Sequence, residues 1–213
     1  MAPISAAVVQ DLFSTPLYRA SLAETAGFAG FNAELEAAVL MLAQEDLAGR
    51  QWARKHAYAG YTSYASLDDL PRRASVFAEL KRRLAPHVGA FVETLALDLG
   101  ARGRLRLDSL WVNLLRRGGT HSGHIHPSSV ISGTYYVALP QGSGGLRLED
   151  PRLSRMMAAP PRRRDAPAER QSFVTVTPSV GDLVLWESWL RHEVLPNAAR
   201  APRISVSFNY GWT

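Results

Sequence analysis

The chain of 213 residues contains no cysteine. Disulfides, thiolate metal sites and cysteine nucleophiles are therefore excluded. Lysine is nearly missing too: Lys55 and Lys81 stand alone, so the net charge of +5 is carried by arginine. No long basic run is interleaved with aromatic residues, and no nucleic-acid partner is expected. No window approaches the roughly 18 apolar residues of a membrane span. The opening MAPISAAVVQDLF lacks a basic n-region and a clear cleavage site, so no export signal is read there. Together with the missing thiols, this fits a cytoplasmic protein. No internal repeat is visible.

What is present is ordinary for a globular protein: 46% of the residues are hydrophobic and 20% charged. The length suits one sizeable core and is short for two, so a single domain over residues 1–213 is expected. Residues 1–103 read as mainly helical support. FNAELEAAVLMLAQEDL places Phe31, Leu35, Val39 and Leu42 at helical spacing, and Val76, Leu80, Leu84, Val88, Phe91 and Leu95 form a second stripe. Ser66 with Asp69 predicts a helix start, and Pro86 predicts a division or kink in the second stripe.

Residues 104–213 change character. RLRLDSLWVNLL, ISGTYYVAL, GGLRLED, SFVTVTP, GDLVLWES and RISVSFNYGW are short, rich in β-branched and aromatic residues, and bounded by Gly, Pro and Asp. This predicts a mainly β protein with flanking helices (α+β). Its core would be a β-sandwich or jelly roll, with the N-terminal helices packed on one sheet. The stretch 150–171 shows neither period and holds six arginines against three acids. Its cluster Arg162, Arg163 and Arg164 is either a solvated loop or a flap that attracts an acidic substrate.

Three histidines fall within HSGHIHP. On a strand His124 and His126 share a face, whereas His121 has the opposite parity and falls in a turn beside Gly119 and Gly123. One short strand cannot wrap a metal, so a further ligand must come from elsewhere; His192 in WESWLRHEVLPN is the candidate. Imidazoles suit Fe, Zn, Ni and Cu alike, and two histidines plus a carboxylate mark non-haem Fe(II) oxygenases. The spacing here is H-x-H, which on its own also describes surface or hydrogen-bonded histidines. The last strand, RISVSFNYGW, puts Arg203, Ser205, Ser207 and Asn209 on one face and Ile204, Val206, Phe208 and Tyr210 on the other. The polar face is either exposed or lines a pocket, where Arg-x-Ser could clamp a carboxylate.

Taken together, HIH, SGTYYV, VGDLVLWESWLRHEVLPN and RISVSFN resemble the 2-oxoglutarate/Fe(II)-dependent oxygenases, and most of all their small bacterial group. The resemblance covers roughly residues 105–213, and LFSTPLY and GYTSYASLDDL extend it toward the N-terminus. It implies a cupin-like double-stranded β-helix using Fe(II), 2-oxoglutarate and O2. By position, His124 would be the proximal iron ligand and His192 the distal one. Arg203 with Ser205 would hold the far carboxylate of 2-oxoglutarate, assisted by Tyr136, and Asn113 would belong to the cosubstrate or substrate wall. The departure is His126, which stands where most relatives carry the carboxylate. It is a third ligand, or it points away, or Asp150 or Glu187 reaches in. A bulky imidazole leaves no room for a halide, so halogenation is not expected.

The implied activity is hydroxylation, or a related oxidation, of a small molecule or peptide, with release of succinate and CO2. A three-histidine cupin-type dioxygenase without 2-oxoglutarate is a rival that leaves Arg203-x-Ser205 without a role. A non-catalytic jelly-roll binding module is another. The segment 150–171 would be a lid, and a homodimer is left open.

Overall fold

A computed structural model describes residues 7–213. Residues 1–6, part of the stretch read for an export signal, lie outside the described residues. The chain runs β1 (Tyr18–Ser21), α1 (Phe28–Glu45), α2 (Leu47–Lys55), β2 (Gly60–Thr62), α3 (Ser75–Thr94), β3 (Leu105–Leu115), β4 (His121–His124), β5 (Ile131–Ala138), β6 (Leu146–Glu149), β7 (Phe173–Val176), β8 (Asp182–Glu187), β9 (His192–Val194) and β10 (Arg203–Trp212). The strands form two antiparallel sheets, ordered β1-β8-β5-β10-β3-β2 and β4-β9-β6-β7. This is the expected double-stranded β-helix.

Alternation along the strands divides the large sheet into two chemistries. Ile131, Tyr135 and Val137 of β5, with Ile204, Val206 and Phe208 of β10, face the helices and join the main core. There they meet the apolar stripes of α1 (Phe31, Leu35, Val39) and α3 (Leu80, Leu84, Phe91). Each such side chain contributes about 1.5–3 kcal/mol by leaving water. A smaller apolar cluster, including Tyr136, Leu146, Val184 and Trp186, fills one end of the space between the sheets. The rest of that inner space is polar and holds the site.

Two local expectations are corrected. Pro86 does not divide its helix: α3 runs unbroken from Ser75 to Thr94. Proline removes one N–H and crowds the preceding turn, but buried Leu84, Val88 and Phe91 clamp both halves on the sheet. Nor does a helix start at Ser66. Its hydroxyl donates to Asp46 Oδ2 (2.5 Å), α3 begins only at Ser75, and a single 3-10 turn, Leu70–Arg72, lies between. Asp46 also accepts from the Gly49 N–H (3.0 Å), capping α2, and from Tyr61 Oη (2.8 Å). One carboxylate thus fastens α2, β2 and the following loop, which together build one rim of the site.

The segment 151–171 joins β6 to β7 and contains two single 3-10 turns, Leu153–Arg155 and Ala168–Arg170. No described helix is long and apolar enough to cross a membrane.

Candidate active site

β4 and β9 are antiparallel neighbours in the small sheet, with His124 directly opposite His192. Their rings stand 4.4 Å apart between centroids. His126 lies two residues beyond the end of β4, where its N–H donates to the Ser188 carbonyl (2.9 Å). Its ring is 5.1 Å from that of His124 and 5.2 Å from that of His192. One nitrogen from each imidazole can be chosen so that all three lie within 4.8 Å of one another, a set that could hold a metal ion.

Hydrogen bonds prepare two of the three. His192 Nδ1 donates to the Leu190 carbonyl (2.8 Å) and His124 Nδ1 to the Ser122 carbonyl (2.7 Å). A carbonyl only accepts, so each Nδ1 carries the proton and each Nε2 offers its lone pair. His126 Nδ1 instead lies 3.4 Å from the Asn209 amide nitrogen. Burial, with repulsion from neighbouring imidazoles, lowers the His192 pKa to about 3 and that of His126 to about 4. Both are neutral near pH 7, the form a metal requires. Neither Asp150 nor Glu187 joins the cluster; Asp150 pairs with Arg152 at 2.8 Å.

His121 is a correction. It lies in β4 rather than in a turn, and it lines the same cavity as His124. The pairing register shifts between these two residues, and that irregularity cancels the parity argument. The Tyr58 hydroxyl is hydrogen-bonded to His121 Nε2.

Arg203 is 1% exposed. Its Nε donates to the Gly144 carbonyl (3.2 Å) and its Nη1 to Ser205 Oγ (3.0 Å), and its guanidinium carbon lies 5.2 Å from the centre of the Tyr136 ring. No carboxylate among the described residues pairs with it. The Tyr136 hydroxyl is buried without a partner, and burial pushes its pKa up to about 12. Trp186 Nε1 is the second such orphan. Buried cations and donors left in this state are costly unless a ligand meets them. Arg203, Ser205 and Tyr136 do not themselves line the open cavity, but the Arg203 charge is close enough to help depress the His121 pKa to about 3, after burial.

The cavity measures about 460 Å³ and is bounded by the three-imidazole cluster, Trp186 and Asn113, with Trp52, Tyr64 and Trp111 also in its wall. Asn113 is held from both sides: Thr62 Oγ1 donates to its Oδ1 (2.9 Å) and its Nδ2 donates to Ser207 Oγ (3.1 Å). No residue of 150–171 lines the cavity. Sequence reasoning missed His121, Tyr58, Trp186 and the aromatic wall. Trp186 alone left a signal, since alternation in GDLVLWES puts it on the face of Val184 and Ser188.

Residues 109–209 match the model of the family described as "Putative 2OG-Fe(II) oxygenase". The matched stretch contains all seven expected site residues, and the resemblance read from the sequence is borne out. No curated protein matches the chain. Among solved structures, the chain is similar to a Pseudomonas putida prolyl-4-hydroxylase (18% identity, 92% of this chain and 93% of that one, TM-score 0.60). It is also similar to the epimerase SnoN in complex with Fe3+, alpha ketoglutarate and nogalamycin RO (18% identity, 92% and 79% covered, TM-score 0.60). A 2OG-Fe(II) oxygenase family oxidoreductase from Burkholderia pseudomallei overlaps less: this chain spans about half of its length (16% identity, 53% and 47% covered, TM-score 0.39). At such identities the likeness to the hydroxylase and the epimerase establishes the fold alone.

Proposed function

We propose that the protein is an Fe(II)- and 2-oxoglutarate-dependent oxygenase that hydroxylates a small molecule or peptide, with release of succinate and CO2. The observation that carries this is Arg203: a buried guanidinium with no carboxylate partner among the described residues, beside the orphaned Tyr136 hydroxyl and near enough to act on His121, which lines the same cavity as the three clustered imidazoles. A diacid whose other end chelates a metal answers both needs at once. The residues fit the two groups: imidazole nitrogens suit Fe(II), and Arg203, Ser205 and Tyr136 offer donors to a carboxylate. Bound iron and 2-oxoglutarate, with O2, would supply the oxidising chemistry.

The chain's own work is positioning. His124, His126 and His192 hold the metal, two of them fixed in the correct tautomer by backbone carbonyls. Arg203, oriented by Gly144 and Ser205, sets the far end of the diacid, and the Tyr136 hydroxyl completes that grip. Asn113 keeps the cavity wall rigid. With His126 as third ligand the donor set is neutral, so iron is held less tightly and is more electrophilic than beside a carboxylate. The reading needs neither a nucleic-acid nor a membrane partner.

The test is anaerobic loading with Fe(II), then succinate measured on admitting air with and without 2-oxoglutarate. Succinate dependent on both iron and protein supports the reading. Substrate oxidation without 2-oxoglutarate would favour a three-histidine dioxygenase, and no metal uptake would favour a binding module.

A further inference from the structure

We infer that the substrate group entering the cavity is uncharged and cyclic, gripped by aromatic faces and neutral hydrogen bonds rather than by an ion pair. This deepens the oxygenase reading and rests on it.

The first observation is a charge census. Among the described residues, no Asp, Glu, Lys or Arg side chain lines the cavity. Its polar wall is made of hydroxyls and amides already committed to one another. Thr62 donates to Asn113, Asn113 to Ser207, and Ser207 bonds Thr134 (3.2 Å). Ser132 bonds both Ser188 and Asn209, each at 2.8 Å. Once 2-oxoglutarate engages Arg203 and the metal, a further carboxylate, phosphate or ammonium drawn from water into this space would meet no side chain of opposite charge in the wall, and a buried charge left unpaired is strongly disfavoured. The arginines of 150–171 do not alter this, because none of them reaches the cavity.

The second observation is the aromatic wall. Tyr64 is 54% exposed and stands edge-on to Trp111 (5.1 Å between centroids, 66° between planes). Trp111 in turn lies 5.9 Å from the His126 ring. Ile125 beside them is 44% exposed. The exposed face of Tyr64 backs onto buried Trp111, which adjoins the His126 ring; this favours a ring that stacks and lies within reach of the cluster.

The experiment compares three probes that share a ring and differ in charge: indole-3-acetamide, indole-3-acetate and tryptamine. Each is titrated anaerobically into protein loaded with Fe(II) and 2-oxoglutarate, and binding is read from the metal-to-cosubstrate charge-transfer absorption. The amide is expected to bind at least about tenfold more tightly than either charged probe, corresponding to roughly 1.4 kcal/mol. Either charged probe binding as tightly as the amide, or no binding by any of the three, overturns the inference. Tyr64→Ala should weaken the amide about fivefold or more, and Tyr64→Phe should restore it; an unaltered affinity in the alanine variant overturns the stacking. The same titrations are repeated on metal-free protein by equilibrium dialysis. A failure to load iron or 2-oxoglutarate then counts against the oxygenase reading alone, and the order of the three probes still decides the inference.

Discussion

Replacing Arg203 with methionine should separate cosubstrate binding from folding. The side chain is 1% exposed, has two hydrogen bonds to Gly144 and Ser205, and has no carboxylate partner. Losing one partner of a buried, hydrogen-bonded charge pair costs about 2–5 kcal/mol of binding. At about 1.4 kcal/mol per decade, the Kd for 2-oxoglutarate should rise roughly 30-fold to several thousand-fold. The fold should respond in the opposite sense. Methionine forfeits two hydrogen bonds from a charged donor, about 1.5–3 kcal/mol each, but removes an unpaired buried charge whose penalty is several kcal/mol. The thermal midpoint of the metal-free protein should therefore hold or rise, at roughly 2–4 °C per kcal/mol for a chain of this size. Isothermal titration of 2-oxoglutarate into Fe(II)-loaded protein, under anaerobic conditions, measures the first effect and calorimetry the second. A Kd within about threefold of the parent, or a large drop in the midpoint, would show that the guanidinium is structural and refute the reasoning.

Tyr136→Phe removes a hydroxyl that has no partner, so thermal stability should be unchanged while the 2-oxoglutarate Kd rises about tenfold or more, the worth of one hydrogen bond to a charged group; equal affinity in a titration counts against the assignment. His126→Ala should weaken Fe(II) binding by more than the roughly 10–100-fold that losing a partner of a ligand costs, and His126→Asp should restore it; unchanged iron content in both variants would show that His126 is not a ligand. In the metal-free protein His121, His126 and His192 have pKa values lowered by burial to between about 3 and 4. The unfolded chain binds these protons first, so stability is full above about pH 6.5 and falls as pH drops toward 4, by at most about 1.4 kcal/mol per pH unit for each group; a midpoint that is flat or rises on acidification contradicts this.

The β half of the fold was legible because its strands alternate cleanly. RISVSFNYGW predicted both faces of β10, and the structure puts Ile204, Val206 and Phe208 in the core and Arg203, Ser205 and Asn209 in the buried polar interior. His124 and His192 could be paired from their sequence contexts, because the jelly roll makes neighbours of distant strands. His121 could not, since parity assumes unbroken pairing and the register shifts inside HSGH. The division expected at Pro86 failed for a related reason: a local penalty was weighed without the stripe of buried residues that outweighs it. The aromatic wall was invisible because Trp52, Tyr64 and Trp111 come from a helix, a loop and a strand, and no local pattern says that three such elements converge.

One strand carries both the stability and the chemistry, and its two faces are in tension. Ile204, Val206 and Phe208 are each at most 1% exposed, and together contribute on the order of 4–9 kcal/mol by burial. That is enough to offset the several kcal/mol that an unpaired Arg203 costs, within a folded state whose whole margin is about 5–15 kcal/mol. The polar face can therefore remain unsatisfied in the absence of ligand without unfolding the sheet. A substitution that relieves it, such as Arg203→Met, moves free energy from binding to folding. A substitution that weakens the apolar face, such as Phe208→Ala, should lose about 3–5 kcal/mol of stability, a loss that saturating 2-oxoglutarate partly restores by binding only the folded state. If 2-oxoglutarate with a bound metal leaves the Phe208→Ala midpoint unchanged, the guanidinium is not waiting for a diacid, and the link between the two faces fails.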